Sequence, residues 1–147
     1  MKSLWEEATR RQTIERIEQL KPDAKALWGT MTAPQMLAHL ADSMRMASGE
    51  LKPAPKKLPI RHPPLKQMIV YWLPIPRNSP TASERISRTP GSWEEEATEL
   101  MHRVQEFGRR ETGGNWPEHP AFGKLSPTAW GVLAYRHIDH HLRQFGT

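Results

Sequence analysis

Three of the seven histidines in this 147-residue chain fall within five positions: His137, His140 and His141, in Tyr135-Arg136-His137-Ile138-Asp139-His140-His141-Leu142-Arg143-Gln144-Phe145. An imidazole binds divalent metal through either ring nitrogen, and two imidazoles sharing one helix face can share one ion. Helical residues four apart project roughly 40° from one another, one turn displaced, which His137 and His141 satisfy. His140 lies only about 60° to the other side of His137, so spacing alone does not choose the pair. Trp130, Leu133, Ala134, Ile138, Leu142 and Phe145 define the apolar stripe of this helix. Measured from its centre, His141 is nearly aligned, His137 is at one border and His140 is about 120° away. The sequence therefore predicts His137 and His141 pointing inward, with His140 flanking.

A catalytic zinc usually takes three protein ligands and leaves one position open. The candidate third ligand is His39, at the edge of a stripe made by Met36, Leu40, Ser43 and Ala47. A second reading stays open beside this one: separate half-buried histidines, each hydrogen bonded to a carbonyl. Three neutral imidazoles would leave room on the metal for water or a thiolate, either one acidified there. Asp42, one turn from His39, is a candidate catalytic residue that orients a ligand or acts as a base; helix-surface pairing is its other reading. His119, in the rigid loop Trp116-Pro117-Glu118-His119-Pro120-Ala121-Phe122, is a second candidate, either approaching the site or packing. His102 falls on the polar side of its helix and Asp139 faces away from the stripe, suited to a surface salt bridge.

These residues need helices to hold them. Residues 3 to 19 read as a first helix, with Ser3 and Glu6 at capping-box spacing and Leu4, Ala8, Ile14 and Ile17 inward. Thr32 or Ala33 starts a second, with Pro34 in its first turn and Gly49 beyond Ser48 as its stop. Ser92 caps a third long helix running to about Arg110, with Glu94, Glu95 and Glu96 at the positive end of its dipole. Ser126-Pro127 opens the last. Between residues 51 and 90 lie nine of the fourteen prolines; this stretch reads as an extended crossover carrying one extra short helix over residues 65–73. With no alternating strand pattern, the expected fold is all-α, a four-helix bundle with a long proline-rich crossover, in one domain over residues 1–147.

Composition excludes several chemistries. There is no cysteine, hence no disulfide, thiolate ligand or cysteine nucleophile, and any metal must be held by nitrogen and oxygen. No run of eighteen apolar residues exists, so no membrane partner is expected. Met1-Lys2-Ser3-Leu4-Trp5-Glu6-Glu7 lacks an apolar signal core, so a cytoplasmic location is expected. The net charge of +5 raises nucleic-acid binding, but glutamates interleave with arginines along both outer helices, and no nucleic-acid partner is expected.

Two stretches carry a resemblance. One runs from Trp28-Gly29-Thr30-Met31 through Gln35-Met36-Leu37-Ala38-His39-Leu40-Ala41-Asp42-Ser43 to Gly49-Glu50. The other runs from His119-Pro120-Ala121-Phe122-Gly123 through Trp130 to His137-Ile138-Asp139-His140-His141-Leu142-Arg143-Gln144-Phe145-Gly146. The chain resembles the DinB/YfiT-like superfamily of metalloenzymes, and more closely a branch described only as a domain of unknown function. The resemblance implies a divalent metal, nickel or zinc, on one histidine of the second helix and an HxxxH pair of the last, positions matched by His39, His137 and His141. It also implies thiol-dependent transfer using low-molecular-weight thiols such as bacillithiol or mycothiol. The proline-rich crossover and the His119 loop depart from the pattern. The sequence thus supports a metal-dependent transferase or hydrolase acting on a small molecule, as a monomer or homodimer; the alternative is a non-catalytic metal-binding or stress-associated bundle.

Overall fold

The computed structural model describes residues 1–77 and 88–147; the part of the expected crossover at 78–87 lies outside the described residues. Among the described residues there are five α-helices and no strand: α1 Glu7–Glu18, α2 Ala33–Ser48, α3 Leu65–Tyr71, α4 Trp93–Phe107 and α5 Pro127–Gln144. A 3-10 turn, Pro59–Arg61, precedes α3. The all-helical class read from the sequence is therefore what the chain adopts.

Local chemistry starts three of the helices as expected. Thr32 Oγ1 accepts from the Gln35 backbone N–H at 3.3 Å while the Gln35 side chain accepts from the Thr32 N–H at 2.9 Å. The same reciprocal pair joins Ser92 and Glu95 on α4, and Ser126 Oγ accepts from Ala129 N–H on α5 at 3.1 Å. Each satisfies donors that a helix N-terminus otherwise leaves unpaired.

The first helix departs from expectation. It begins at Glu7 with no side-chain cap, and residues 3–5 instead lie against α5. Leu4 N–H donates to the Gly131 carbonyl at 3.1 Å, and Trp5 Nε1–H donates to the Pro127 carbonyl at 2.8 Å. A Cβ at Gly131 would stand 2.6 Å from Ser3 Oγ, so a glycine is what lets this segment approach. Ser3 Oγ accepts from the Trp5 N–H rather than capping the helix. Consequently α1 turns Thr9, Arg10, Thr13 and Ile17 inward, and Ala8, expected inside, is exposed. Helix α4 stops at Phe107, short of Arg110.

Helix α2 packs against both α4 and α5, α1 packs on the same two, and α3 lies on α5. Met36, Leu37 and Leu40 of α2 are fully buried, as are Leu100 and Val104 of α4 and Leu142 of α5. Each such side chain contributes about 1.5–3 kcal/mol through its removal from water. The crossover is held down by backbone acceptors. Arg136 of α5 donates to the Ile69 carbonyl at 2.7 Å and the Val70 carbonyl at 2.6 Å. Lys56 N–H donates to the Pro120 carbonyl at 2.8 Å, and Arg61 donates to the same carbonyl at 2.9 Å.

Candidate metal centre

Packing α2 on α5 brings His39 together with His137 and His141, one ligand nitrogen from each lying within 4.8 Å of the others. The Nε2 atoms of His39 and His137 are 3.0 Å apart. The three rings stand edge to face, with centroids 4.9, 4.9 and 5.0 Å apart. A tetrahedral ion bonded at about 2.0–2.1 Å needs ligand nitrogens about 3.4 Å apart. The 3.0 Å pair and the 4.8 Å upper bound are compatible with that value, and imidazole donors suit several divalent transition metals. The three residues can hold a metal ion.

Protonation favours that role. Burial is the main cause that holds His137 well below its ordinary range, with the neighbouring histidines repelling a further charge. Burial likewise pushes His141 down to about 3. Both rings are neutral at pH 7, the form that ligates.

Gln144, three residues beyond His141 on α5, selects the tautomer. Its amide Nε2–H donates to the Trp28 carbonyl at 2.7 Å. A carbonyl only accepts, so the amide oxygen must turn the other way, 2.8 Å from His141 Nδ1. His141 therefore donates from Nδ1 and presents the Nε2 lone pair inward. Gly29 belongs to this arrangement. Its φ is +76°, and a Cβ there would stand 2.9 Å from Gln144 Nε2. Reading the histidines alone missed Gln144 and the Trp28 carbonyl; the signal was the i, i+3 spacing of His141 and Gln144.

A cavity of about 340 Å³ opens over the histidines, lined by His39, His119, His137, His140, His141 and Ser43 together with an apolar wall. That wall includes Met44 and Met46 of α2, Leu58, Ile60 and Ile69 of the crossover, and Phe122, Trp130 and Leu133. No charged side chain lines it among the described residues.

The other candidates fall in three places. His119 lines the cavity, its ring 5.4 Å from that of Trp130. Its Nδ1 accepts from the backbone N–H groups of Ala121 and Phe122, at 3.1 and 3.2 Å, which puts the ring proton on Nε2. His140 also lines the cavity, edge-on to Trp28 at 5.6 Å. Asp42 lies outside the lining, in an ion network with Arg45 at 2.8 Å and Arg88 at 3.0 Å. Arg88 also pairs with buried Glu96, whose carboxyl it holds below the usual range. His102 is exposed at a separate cleft between α2 and α4, and Asp139 is salt-bridged to Arg16 and Arg143.

Fold and site together define an all-helical protein with a buried three-histidine cluster that can hold a metal ion. The chain belongs to the family described as "Protein of unknown function (DUF1569)", whose model matches residues 6–147. No curated protein and no solved structure matches it.

Proposed function

We propose that this chain is a single-domain, cytoplasmic metalloenzyme of the DinB-like bundle type, acting on a small molecule through nickel or zinc at His39, His137 and His141. The observation that carries this reading is the position of the three ligands at the wall of a cavity that no charged side chain lines among the described residues. A structural zinc site is closed by four protein ligands, whereas a three-ligand site facing a cavity admits a substrate. A divalent ion bound there supplies Lewis acidity, lowering the pKa of a water or thiol in its open position. Three neutral ligands leave the ion's charge uncompensated, so an anionic donor such as a thiolate is favoured over a neutral one.

The chain's own residues do the rest. Gln144 orients His141, and the apolar wall limits water. His119 lines the cavity beside the ligands, its Nδ1 held as an acceptor by the loop backbone, and enters this reading as a substrate-contacting residue. Asp42, bound to Arg45 and Arg88, enters this reading as a positioning residue for the helix that carries His39.

Two measurements test the proposal. Elemental analysis of protein purified without a histidine tag should give stoichiometric metal. His39→Ala, His137→Ala and His141→Ala should each abolish it, while His140→Ala and His102→Ala retain most of it. Loss of metal in His140→Ala with retention in His137→Ala would overturn the ligand assignment. A cobalt-substituted sample then separates the reaction classes, since a thiolate on cobalt adds an intense charge-transfer band. A new band with a low-molecular-weight thiol supports transfer. An unchanged spectrum with every thiol leaves a hydrolase as the reading, and a fourth protein ligand closing the site would establish the non-catalytic metal-binding alternative.

A further inference from the structure

Against the sequence expectation of no membrane partner, which rested on the lack of a spanning segment, we propose that α3 and the extended chain before it form a docking face for an anionic lipid bilayer. This inference is independent of the metal reading. Of the 21 Lys and Arg in the chain, six lie in residues 51–77, where no Asp or Glu occurs; the remaining fifteen are set against sixteen acidic residues elsewhere. The whole positive excess of the protein is thus concentrated on one segment.

The same segment exposes its large apolar side chains. Leu65, Met68 and Trp72 are 37%, 41% and 68% exposed, and Leu73, next in the chain, is 39% exposed. Positions 65, 68 and 72 are spaced i, i+3, i+7, so they share one face of α3 and its final turn. The opposite side is spent on the protein, with Val70 buried and Ile69 on the cavity wall.

Arg61 is paired with Glu118, Lys66 reaches the Lys124 carbonyl and Arg77 stacks on Trp28, while Lys52 and Lys57 are exposed in the chain that leads to α3. An exposed apolar helix face next in the chain to exposed lysines is the pattern of an interfacial segment. Its side chains enter the headgroup–acyl boundary while the cations meet anionic headgroups. Nucleic acid would use the charge but leave Leu65 and Met68 without a partner. A second copy of the chain would set one acid-free basic segment against another. A bilayer satisfies both features. Leu58, Ile60 and Ile69 of the same segment face the cavity instead, so the docked segment would stand between the lipid and the histidines.

Vesicle co-sedimentation tests this with full-length protein, metal present. Vesicles of phosphatidylcholine mixed with phosphatidylglycerol should pellet the protein at low salt, and phosphatidylcholine alone should not. Roughly 0.5 M salt should release it, since the charges are exposed to screening. Met68→Glu with Trp72→Glu should lower partitioning at least about tenfold, because both the apolar contact and the local charge are lost. Both side chains are exposed, so circular dichroism and metal content should be unchanged. Failure to bind the mixed vesicles at low salt, or binding that the double variant leaves intact, overturns the proposal. So does duplex DNA binding stronger than vesicle binding, or a concentration-dependent dimer that the double variant abolishes while vesicles remain unbound.

Discussion

A histidine serves as a ligand when its charge and its tautomer are both decided by the fold, and here burial decides the first and Gln144 the second. Gln144→Leu removes the acceptor for His141 Nδ1–H, so metal affinity should fall about 10–100-fold, the usual cost of losing such a partner. Metal titration measures it, with unchanged helicity as the control. Gly29→Ala should act on the same bond, because a left-handed φ and a Cβ 2.9 Å from Gln144 Nε2 both resist the change. Acid stability follows from the same burial. His141 takes its proton near 6.5 when unfolded and at about 3 when folded. The metal-free protein should therefore keep full stability above pH 6.5 and lose it as pH falls toward 3. The slope is up to about 1.4 kcal/mol per pH unit for each such histidine. His137 shifts in the same direction. Urea midpoints of metal-free protein across that range give the slope, and His141→Gln should flatten it.

At the scale of elements, adjacent carboxylates on α4 have different fates. Glu94 is exposed, Glu95 completes the Ser92 cap, and Glu96 is buried against Arg88 and the Gly91 N–H. Arg88 is partly exposed and keeps Asp42 as a partner, while the Gly91 N–H loses its acceptor, so Glu96→Ala should destabilise the protein by about 1–2 kcal/mol. Glu94→Ala should stay within about 0.5 kcal/mol. Equal urea midpoints for the two variants would show that the Arg88–Glu96 pair contributes nothing net. The pairing also explains why three acidic residues read as one dipole-favouring turn became a solvent-facing group, a cap and an anchor. Helix periodicity assigns directions to within tens of degrees, while the position of Arg88 depends on the course of the crossover.

At the scale of the molecule, α5 serves three neighbours. Its first turns receive residues 3–5, its middle carries Arg136 to the carbonyls of α3, and its last turns bring His137 and His141 to His39. The crossover is tied to this helix and to the His119 loop, so it walls the cavity rather than looping free of it. That arrangement puts an apolar lining above three polar ligands.

The helices, the Ser92 and Ser126 caps and the meeting of His39 with the HxxxH pair were legible in the sequence, because caps act over three residues and a helix face repeats every 3.6. The failure of Ser3 to cap was not, since its segment is fixed by Leu4 N–H on the Gly131 carbonyl, more than 120 residues away in the chain. Gln144 and Trp28 were visible as letters, but a hydrogen bond across 116 positions exists only once α5 has docked on the turn before α2. The separation of Asp42 from the cavity has the same origin: its arginine partners include Arg88 from the far end of the crossover. Short-range geometry is written in spacing, and partners that are distant in the chain are chosen by packing.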